Sequence, residues 1–439
     1  MPAPREGHVI FGVNVLCLGY LPAAWQWDPR LTARSPVDHK YWEHIATVAE
    51  RGTLDALFLA DGPGLGDPSY DANSTRLEPT VNWAHLAAVS SHIGLVATAS
   101  TTFNDPFELA ERLASLDYAS GGRAGWNVVT TRHGQASGNF GLAGLPDRAD
   151  RYERAAEFVD LVRALWDSAA AGRDIDHHGT HFDVHGRLRV PPSPQGHPVL
   201  LQAGGSEAGR RLAGAWAEGV FAAELTKAGA IEHYNEVKSY AAAAGRNPDD
   251  VKILPGVLMS LGSTEEEARR RSDEIHDLGP ATYSVGWLSG ALGIDASQLA
   301  LDEPFPEEVL LQALDPAFAG GSIGFRQSIV RQIRETRPTV REYLKQTRYT
   351  GSGHHGFVGT PEQFADHVED WWRSGAIDGF NLQPDVLADG LEVIVDEVVP
   401  ILRRRGLFRH EYETSTLRGH FAAASGPART ITTAEVPVS

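Results

Sequence analysis

The sequence has one cysteine, Cys17, so it forms no intramolecular disulfide, and a reducing cytoplasm fits. Its runs of Lys and Arg are no longer than three residues. Its 39 basic residues stand against 57 acidic ones, a formal charge of −18, which argues against a nucleic-acid partner. It has no apolar stretch near the roughly 20 residues that a membrane-spanning helix needs. Residues 9–24 come closest and resemble the apolar part of a signal peptide. Asn14 interrupts that run and Glu6 precedes it, so a first core strand is the better reading and no membrane partner is expected. No fixed-period repeat is visible, which excludes a solenoid. With 42% hydrophobic and 22% charged residues among 439, the composition suits one large globular unit or two smaller ones.

What is present is a rhythm. Residues 120–131, SGGRAGWNVVTT, begin as a turn in which Gly121 and Gly122 permit positive φ. A strand is predicted over 123–130, ending in Asn127, Thr130 and Thr131. The pattern recurs, with strands predicted over 9–16, 56–61, 94–102, 198–204, 219–224, 251–261 and 378–383. Helices are predicted between them over 38–51, 80–92, 106–119, 148–168, 206–218, 226–244, 264–277, 360–375 and 390–405. Strand–helix alternation implies parallel strands, and eight such units imply an α/β fold, a (β/α)8 TIM barrel in a single domain over 1–420. Residues 279–356, rich in Gly, Pro and aromatics with a helical piece over 328–346, read as an insertion after the seventh strand and a candidate lid. Residues 181–190 read as a hairpin, and the Ala/Ser/Thr/Pro-rich stretch 421–439 as a disordered tail.

In such barrels the chemistry sits at the carboxyl ends of the strands. Here those ends carry Asp61, Thr98 with Ser100 and Thr101, Asn127 with Thr130, Gln202, Glu224 and Gln383. They include no carboxylate pair of the glycosidase kind and no Schiff-base lysine. Neutral donors and acceptors suit a flat heteroaromatic ring with imide edges, such as a flavin, without singling one out. Residues 204–209, GGSEAG, follow a strand and open a helix beside Arg210. They read equally as a phosphate cradle and as a Ser N-cap with glycines for close packing. Glu224 stands near the spacing of a ribose-binding acid, which keeps an NAD(P) site in view, although a mid-chain position among eight units argues against it. His177, His178, His181 and His185 allow a metal site or, more simply, a solvated hairpin. His354 and His355 lie among glycines and read as a mobile loop. Cys17, near the end of the first strand, reads as a substrate contact or as packing.

With these residues placed, the chain resembles the flavin-dependent monooxygenases of the bacterial-luciferase-like superfamily. Within it, the likeness is to the branch of nitrilotriacetate, dibenzothiophene-sulfone and long-chain alkane monooxygenases. The matching stretches are FLADG at 58–62, SGGRAGWNVVT at 120–130, NFG at 139–141, RYERAAEFVDLVRALWDS at 151–168 and PSPQGHPVLLQAGGSEAGR at 192–210. VGTPEQFAD at 358–366, IDGFNL at 377–382 and LRRRGLFRHEY at 402–412 extend the likeness to about residue 419. The resemblance implies reduced FMN supplied by a separate NAD(P)H:FMN reductase, O2 as co-substrate, and one oxygen atom entering a small organic substrate. It implies flavin contacts at Asp61, Thr98, Tyr152, Gly205 and Ser206, with Arg148 on the phosphate where the family often has His. Asn127 is then placed near the reacting flavin edge or the substrate, and Cys17 near the substrate. A homodimer or homotetramer is expected. The loop GYLPAAWQWDP departs from the family, with Leu21 and Gln26 where His and Arg are usual, and the segment between Asp167 and His177 is short. Tyr20, Trp25, Trp27, Tyr70, Trp287 and Phe325 suggest an apolar or aromatic substrate. The rival readings are a deazaflavin-dependent oxidoreductase on the same barrel and a non-catalytic flavin-binding barrel.

Overall fold

Apolar runs flanked by turns become strands Ile10–Asn14 (β1), Ala56–Leu59 (β2), Gly94–Ser100 (β3) and Ala124–Val129 (β4), nearly all of whose residues are buried. The computed structural model describes residues 6–16, 18–21, 23–32, 34–64, 76–131, 134–278, 285–315, 323–347 and 354–425. Cys17 and Tyr70 lie outside the described residues. Strands Ile175–His178 (β5) and Asp183–Gly186 (β6) pair as an antiparallel hairpin. The sequence reading set this hairpin too late, at 181–190. Residues 179–182 are its turn, and Glu157 fixes it by accepting the backbone N–H groups of Thr180, His181 and Phe182.

The main sheet continues with Val199–Gln202 (β7), Gly219–Val220 (β8), Lys252–Ile253 (β9), Gly256–Leu261 (β10), His355–Gly359 (β11) and Gly379–Pro384 (β12). It is parallel throughout, in the order β11-β10-β12-β1-β2-β3-β4-β7-β8-β9. Residues 251–261 are predicted as one strand, and Leu254–Pro255 divides it. The two halves touch opposite ends of the sheet. Leu254 N donates to Val220 O at 2.8 Å, while Pro255 O accepts from Asn381 N at 3.0 Å. The sheet is therefore curled, with one continuous segment supplying β9 at one edge and β10 near the other.

Alternation along the strands gives the sheet two faces. Phe11, Val13, Leu57, Leu95, Trp126 and Leu200 pack among the surrounding helices. Ile10, Ala56, Phe58, Val96, Val199, Leu201 and Leu254 fill the concave side. The helices start where the sequence supplies caps, as at Asp38, Glu78, Asp105 and Thr226, and at Thr360 with Gln363 in a capping box.

Three expectations need correction. The stretch 421–439 does not begin as a disordered tail. Phe421 is 4% exposed and belongs to helix Leu417–Ala423, which packs with Leu417 into the concave cluster at the amino ends of the strands. Its Ala-rich composition hid two apolar anchors one turn apart. The 328–346 piece is two helices, Ile323–Thr336 and Val340–Thr347, parted where Arg337 takes φ +46° before Pro338. The 279–356 block also runs into β11, a strand it was not expected to contain. β11 lies beside β10 on the side that the short β8 has left. The described part of the block has its own apolar core, with Leu288, Leu292, Leu310, Ile329, Ile333 and Tyr343. Among the described residues no helix is long and apolar enough to cross a membrane.

Candidate functional site

The motif GGRAGWN divides its work by side-chain direction. Gly121 and Gly122 take φ of +70° and +90° at the turn into β4. Arg123 is 3% exposed and donates to the carbonyls of Ala87, Ser90, Ile93 and Ser120, which satisfies a helix end and fixes the turn. Trp126 packs among the helices and donates to Ala99 O at 3.0 Å. Asn127 stands beside Thr98 in register, and its Nδ2 donates to Thr98 Oγ1 at 2.9 Å. Thr98 passes its own proton to Leu59 O at 2.7 Å. Asn127 Oδ1 is left buried without a protein partner. Asp61 follows β2 nearby. Burial raises its carboxyl pKa, and Arg76, with Nε 3.2 Å from Oδ1, opposes the rise.

The 204–209 loop does form the Ser N-cap. Ser206 precedes helix Glu207–Trp216, and its Oγ accepts from Gly209 N at 3.2 Å. The same hydroxyl lies 3.3 Å from Tyr152 OH. Gly205 is pressed against the 279–356 block, where a Cβ would lie 3.1 Å from Gly324 Cα. Arg148, exposed at the start of helix Arg148–Ala171, stands with its guanidinium 5.5 Å from the Tyr152 ring centre. Arg210 turns away, bonding Gly205 O and pairing with Glu236. The structure thus gathers Arg148, Tyr152, Gly205 and Ser206 at β7, and Asp61, Thr98 and Asn127 on β2 to β4, which adjoin β7 through β4.

Other candidates do different work. Gln202 stands in register with Val128, whereas its neighbour Leu201 fills the concave side, so Gln202 faces the 204–209 loop from outside. Glu224 is buried against His233 Nδ1 at 2.8 Å and reaches Arg331 of the 279–356 block at 3.4 Å. It is a clamp between elements, not an open ribose acid. The hairpin histidines are engaged with acidic neighbours, His178 with Asp176 and Asp183, His185 with Asp176. No group of three or more metal-ligating side chains occurs among the described residues. Leu21 is packed with Leu258, Ile275 and Val386, while Gln26 is exposed. Trp25 and Trp287 pack on apolar clusters, and Trp27 lies under Arg271.

Sequence reasoning missed His354. Read as part of a mobile loop, it is 5% exposed, stacked on Phe221 at 4.9 Å, with Tyr20 and Phe325 edge-on at 6.2 and 5.4 Å. Asn14 and Asn381 were missed as well. With Gln383 they leave buried carboxamide atoms without partners. A polar residue inside an otherwise apolar strand was the available signal for both.

The luciferase-like monooxygenase family pattern matches residues 24–378. The chain is 40% identical over 437 residues to N-acetyl-S-(2-succino)cysteine monooxygenase of Bacillus subtilis (strain 168), covering 95% of this chain and 97% of that protein. It is 40% identical over 430 residues to nitrilotriacetate monooxygenase component A of Aminobacter aminovorans, covering 91% and 93%. The solved structure of EDTA monooxygenase from Chelativorans sp. BNC1 superposes with a TM-score of 0.79 at 33% identity, covering 96% and 99%. The chain belongs to the luciferase-like monooxygenases, and it is a flavin-dependent monooxygenase.

Proposed function

We propose that this chain is the oxygenating component of a two-component system, a closed (β/α)8 barrel that takes reduced FMN from a separate NAD(P)H:FMN reductase and uses O2 to oxygenate a small organic substrate. The observation that carries the reading is the pair of polar groups on adjoining strands. One is a helix-start cradle of Ser206, Tyr152 and Gly205 with Arg148 at its edge, and the other is the Asn127–Thr98 chain with its unmatched oxygen. These residues fit FMN. The first N–H groups of helix Glu207–Trp216 and the cationic Arg148 suit a phosphate. Thr98, Asn127 and Asp61 offer the donors and acceptors that a flavin ring edge needs.

Reduced FMN, when bound, supplies the electrons that activate O2, and the chain's own residues do the rest. Ser206, Tyr152 and Arg148 hold the phosphate and fix where the ring lies. Thr98 holds the Asn127 amide in one orientation, so Asn127 Oδ1 faces the flavin edge or the substrate. The helices of the 279–356 block rest on the loops after β7 and β8 and exclude water, which suppresses unproductive loss of activated oxygen. Phe221, Phe325 and Tyr20 supply apolar walls. Glu224 is occupied by His233 and Arg331, which supports a flavin rather than a dinucleotide as resident. A partner reductase agrees with the designation "component A" of the nitrilotriacetate relative.

The test is a single turnover. FMN is reduced chemically under argon, mixed with the protein and a panel of small organic compounds, and exposed to 18O2. A product heavier by one labelled atom is expected with no nicotinamide present. An unlabelled product, its oxygen drawn from water, or no product without NADH, overturns the reading.

A further inference from the structure

Asn381 and Gln383 lie on the concave face of β12, two residues apart. They are 2% and 0% exposed, and neither carboxamide oxygen or nitrogen has a hydrogen-bond partner. Asn14, on the adjoining β1, leaves its Oδ1 unmatched at 5% exposure. Two glycines make room for these amides. Gly12 and Gly256 are the register neighbours of Asn381 on its two sides. A Cβ on Gly12 would stand 3.1 Å from Asn381 Oδ1, and one on Gly256 would stand 2.8 Å from Gln383 Nε2 and 2.6 Å from His354 Nδ1. An unmatched buried polar atom destabilises the fold unless something bound there meets it. Five of them gathered beside two glycines describe a binding site for something polar.

We infer that Asn14, Asn381 and Gln383 form the subsite that anchors the substrate, and that the anchored group is a neutral amide or lactam. The inference rests on the flavin reading above, which assigns the cofactor to β2, β3, β4 and β7. β12 is separated from β4 by β1, β2 and β3, so Asn381 and Gln383 stand apart from that wall, while Asn14 on β1 borders it at β2. The class of ligand follows from valence. Each primary carboxamide offers two N–H donors and a carbonyl acceptor. A carboxylate or phosphate would satisfy the donors and turn its charge on the acceptors. A hydrocarbon would leave all five atoms unmet. An amide or lactam brings a carbonyl for the donors and an N–H for the acceptors. The neighbours Gly12, Gly256, Phe221 and His354 add no Lys or Arg to balance an anion. The Phe221–His354 stack supplies a flat apolar face for the remainder of the molecule.

The experiment titrates FMN into the protein first, then ε-caprolactam, hexanoate and cycloheptane into the FMN complex, followed by saturation-transfer NMR. Caprolactam should bind tightest. Asn381→Leu and Gln383→Leu should weaken caprolactam about tenfold or more, a loss of one to two hydrogen bonds, and leave the FMN and cycloheptane affinities unchanged. Gly12→Ala adds one methyl group and guards against misfolding. It should weaken caprolactam while thermal stability is retained. Equal weakening of FMN by the two leucine variants would assign the amides to the cofactor and overturn the inference. Preference for hexanoate, or indifference of caprolactam to all three variants, would overturn it too. Failure of FMN itself to bind appears in the first titration, before any lactam is added, and would sink the flavin reading separately.

Discussion

Replacing Ser206 by alanine separates a cofactor phosphate contact from a purely structural cap. The hydroxyl caps Glu207–Trp216 through Gly209 N and lies 3.3 Å from Tyr152 OH, so it is shared between the fold and any ligand at the helix start. Losing the cap should cost about 1 kcal/mol of stability, seen as a small fall in Tm. Losing a hydrogen bond to a charged phosphate should cost roughly 1.5–3 kcal/mol of binding, or about 10- to 150-fold in Kd. Riboflavin has the same ring without the phosphate. Fluorescence titrations of FMN and riboflavin against wild type and Ser206→Ala therefore isolate the phosphate contribution. FMN should weaken by that factor while riboflavin stays near its wild-type affinity. Tyr152→Phe should act in the same direction by about 0.5–1.5 kcal/mol, the worth of a neutral hydrogen bond. Equal weakening of FMN and riboflavin would mean that Ser206 is only a cap and that the phosphate lies elsewhere.

Asp55 and Arg409 are fully and nearly fully buried, and pair at 2.7 Å, with Arg409 also bonding Thr53 O. Asp55→Ala should lose about 3–5 kcal/mol in urea unfolding by stranding the guanidinium, and adding Arg409→Met should recover part of that. Burial lowers the pKa of His420 from 6.5 to about 4 and that of His367 from 6.5 to about 3. Below pH 6.5 the unfolded chain takes protons that the folded chain refuses. Stability should therefore be complete above pH 6.5 and fall by up to about 1.4 kcal/mol per pH unit for each histidine as the pH drops toward 4. A His420→Gln variant, denatured at pH 7.5 and 5, should show a shallower slope, and an unchanged slope would contradict the assignment. Gly324→Ala places a Cβ 2.7 Å from Gly205 Cα. It should speed limited proteolysis within 279–356 and weaken FMN, and wild-type cleavage rates would refute the contact. The protein with FMN and NADH in air should oxidise NADH only when an unrelated flavin reductase is added.

Much of the fold was legible because strand and helix each impose a period on apolar residues. β3, β4 and β12 fall within the predicted spans to within a residue or two. What escaped depends on contacts distant in sequence. β11 is a short, half-buried, Gly-containing strand that forms where β8 stops early and leaves β10 an open edge. The hydroxyl at Ser206 was read as cap or cradle, and a single sequence carries nothing to choose between them. The resemblance named Tyr152 too, and the structure brings its hydroxyl to 3.3 Å from Ser206 Oγ across 54 residues of chain. Gln202 and Glu224 share the strand-end position of Asn127, yet both point away from the concave side. One residue of register decides that, and apolar runs buried on both faces do not reveal it.

The concave side is plugged at the amino ends of the strands by Leu417 and Phe421, and the first strand, Ile10–Asn14, pairs with the last, Gly379–Pro384. A ribosome makes these partners far apart in time. Val13 and its β12 neighbour Leu382 are 369 residues apart in the chain. Until helix Leu417–Ala423 appears, the cluster of Ile10, Ala56 and Val96 lacks Leu417 and Phe421. The nascent chain therefore leaves this apolar floor incomplete until late in translation, and helix Leu417–Ala423 acts as the closing peg. Messages truncated before residue 417 should yield chaperone-bound or aggregated product even though every strand of the sheet has been made.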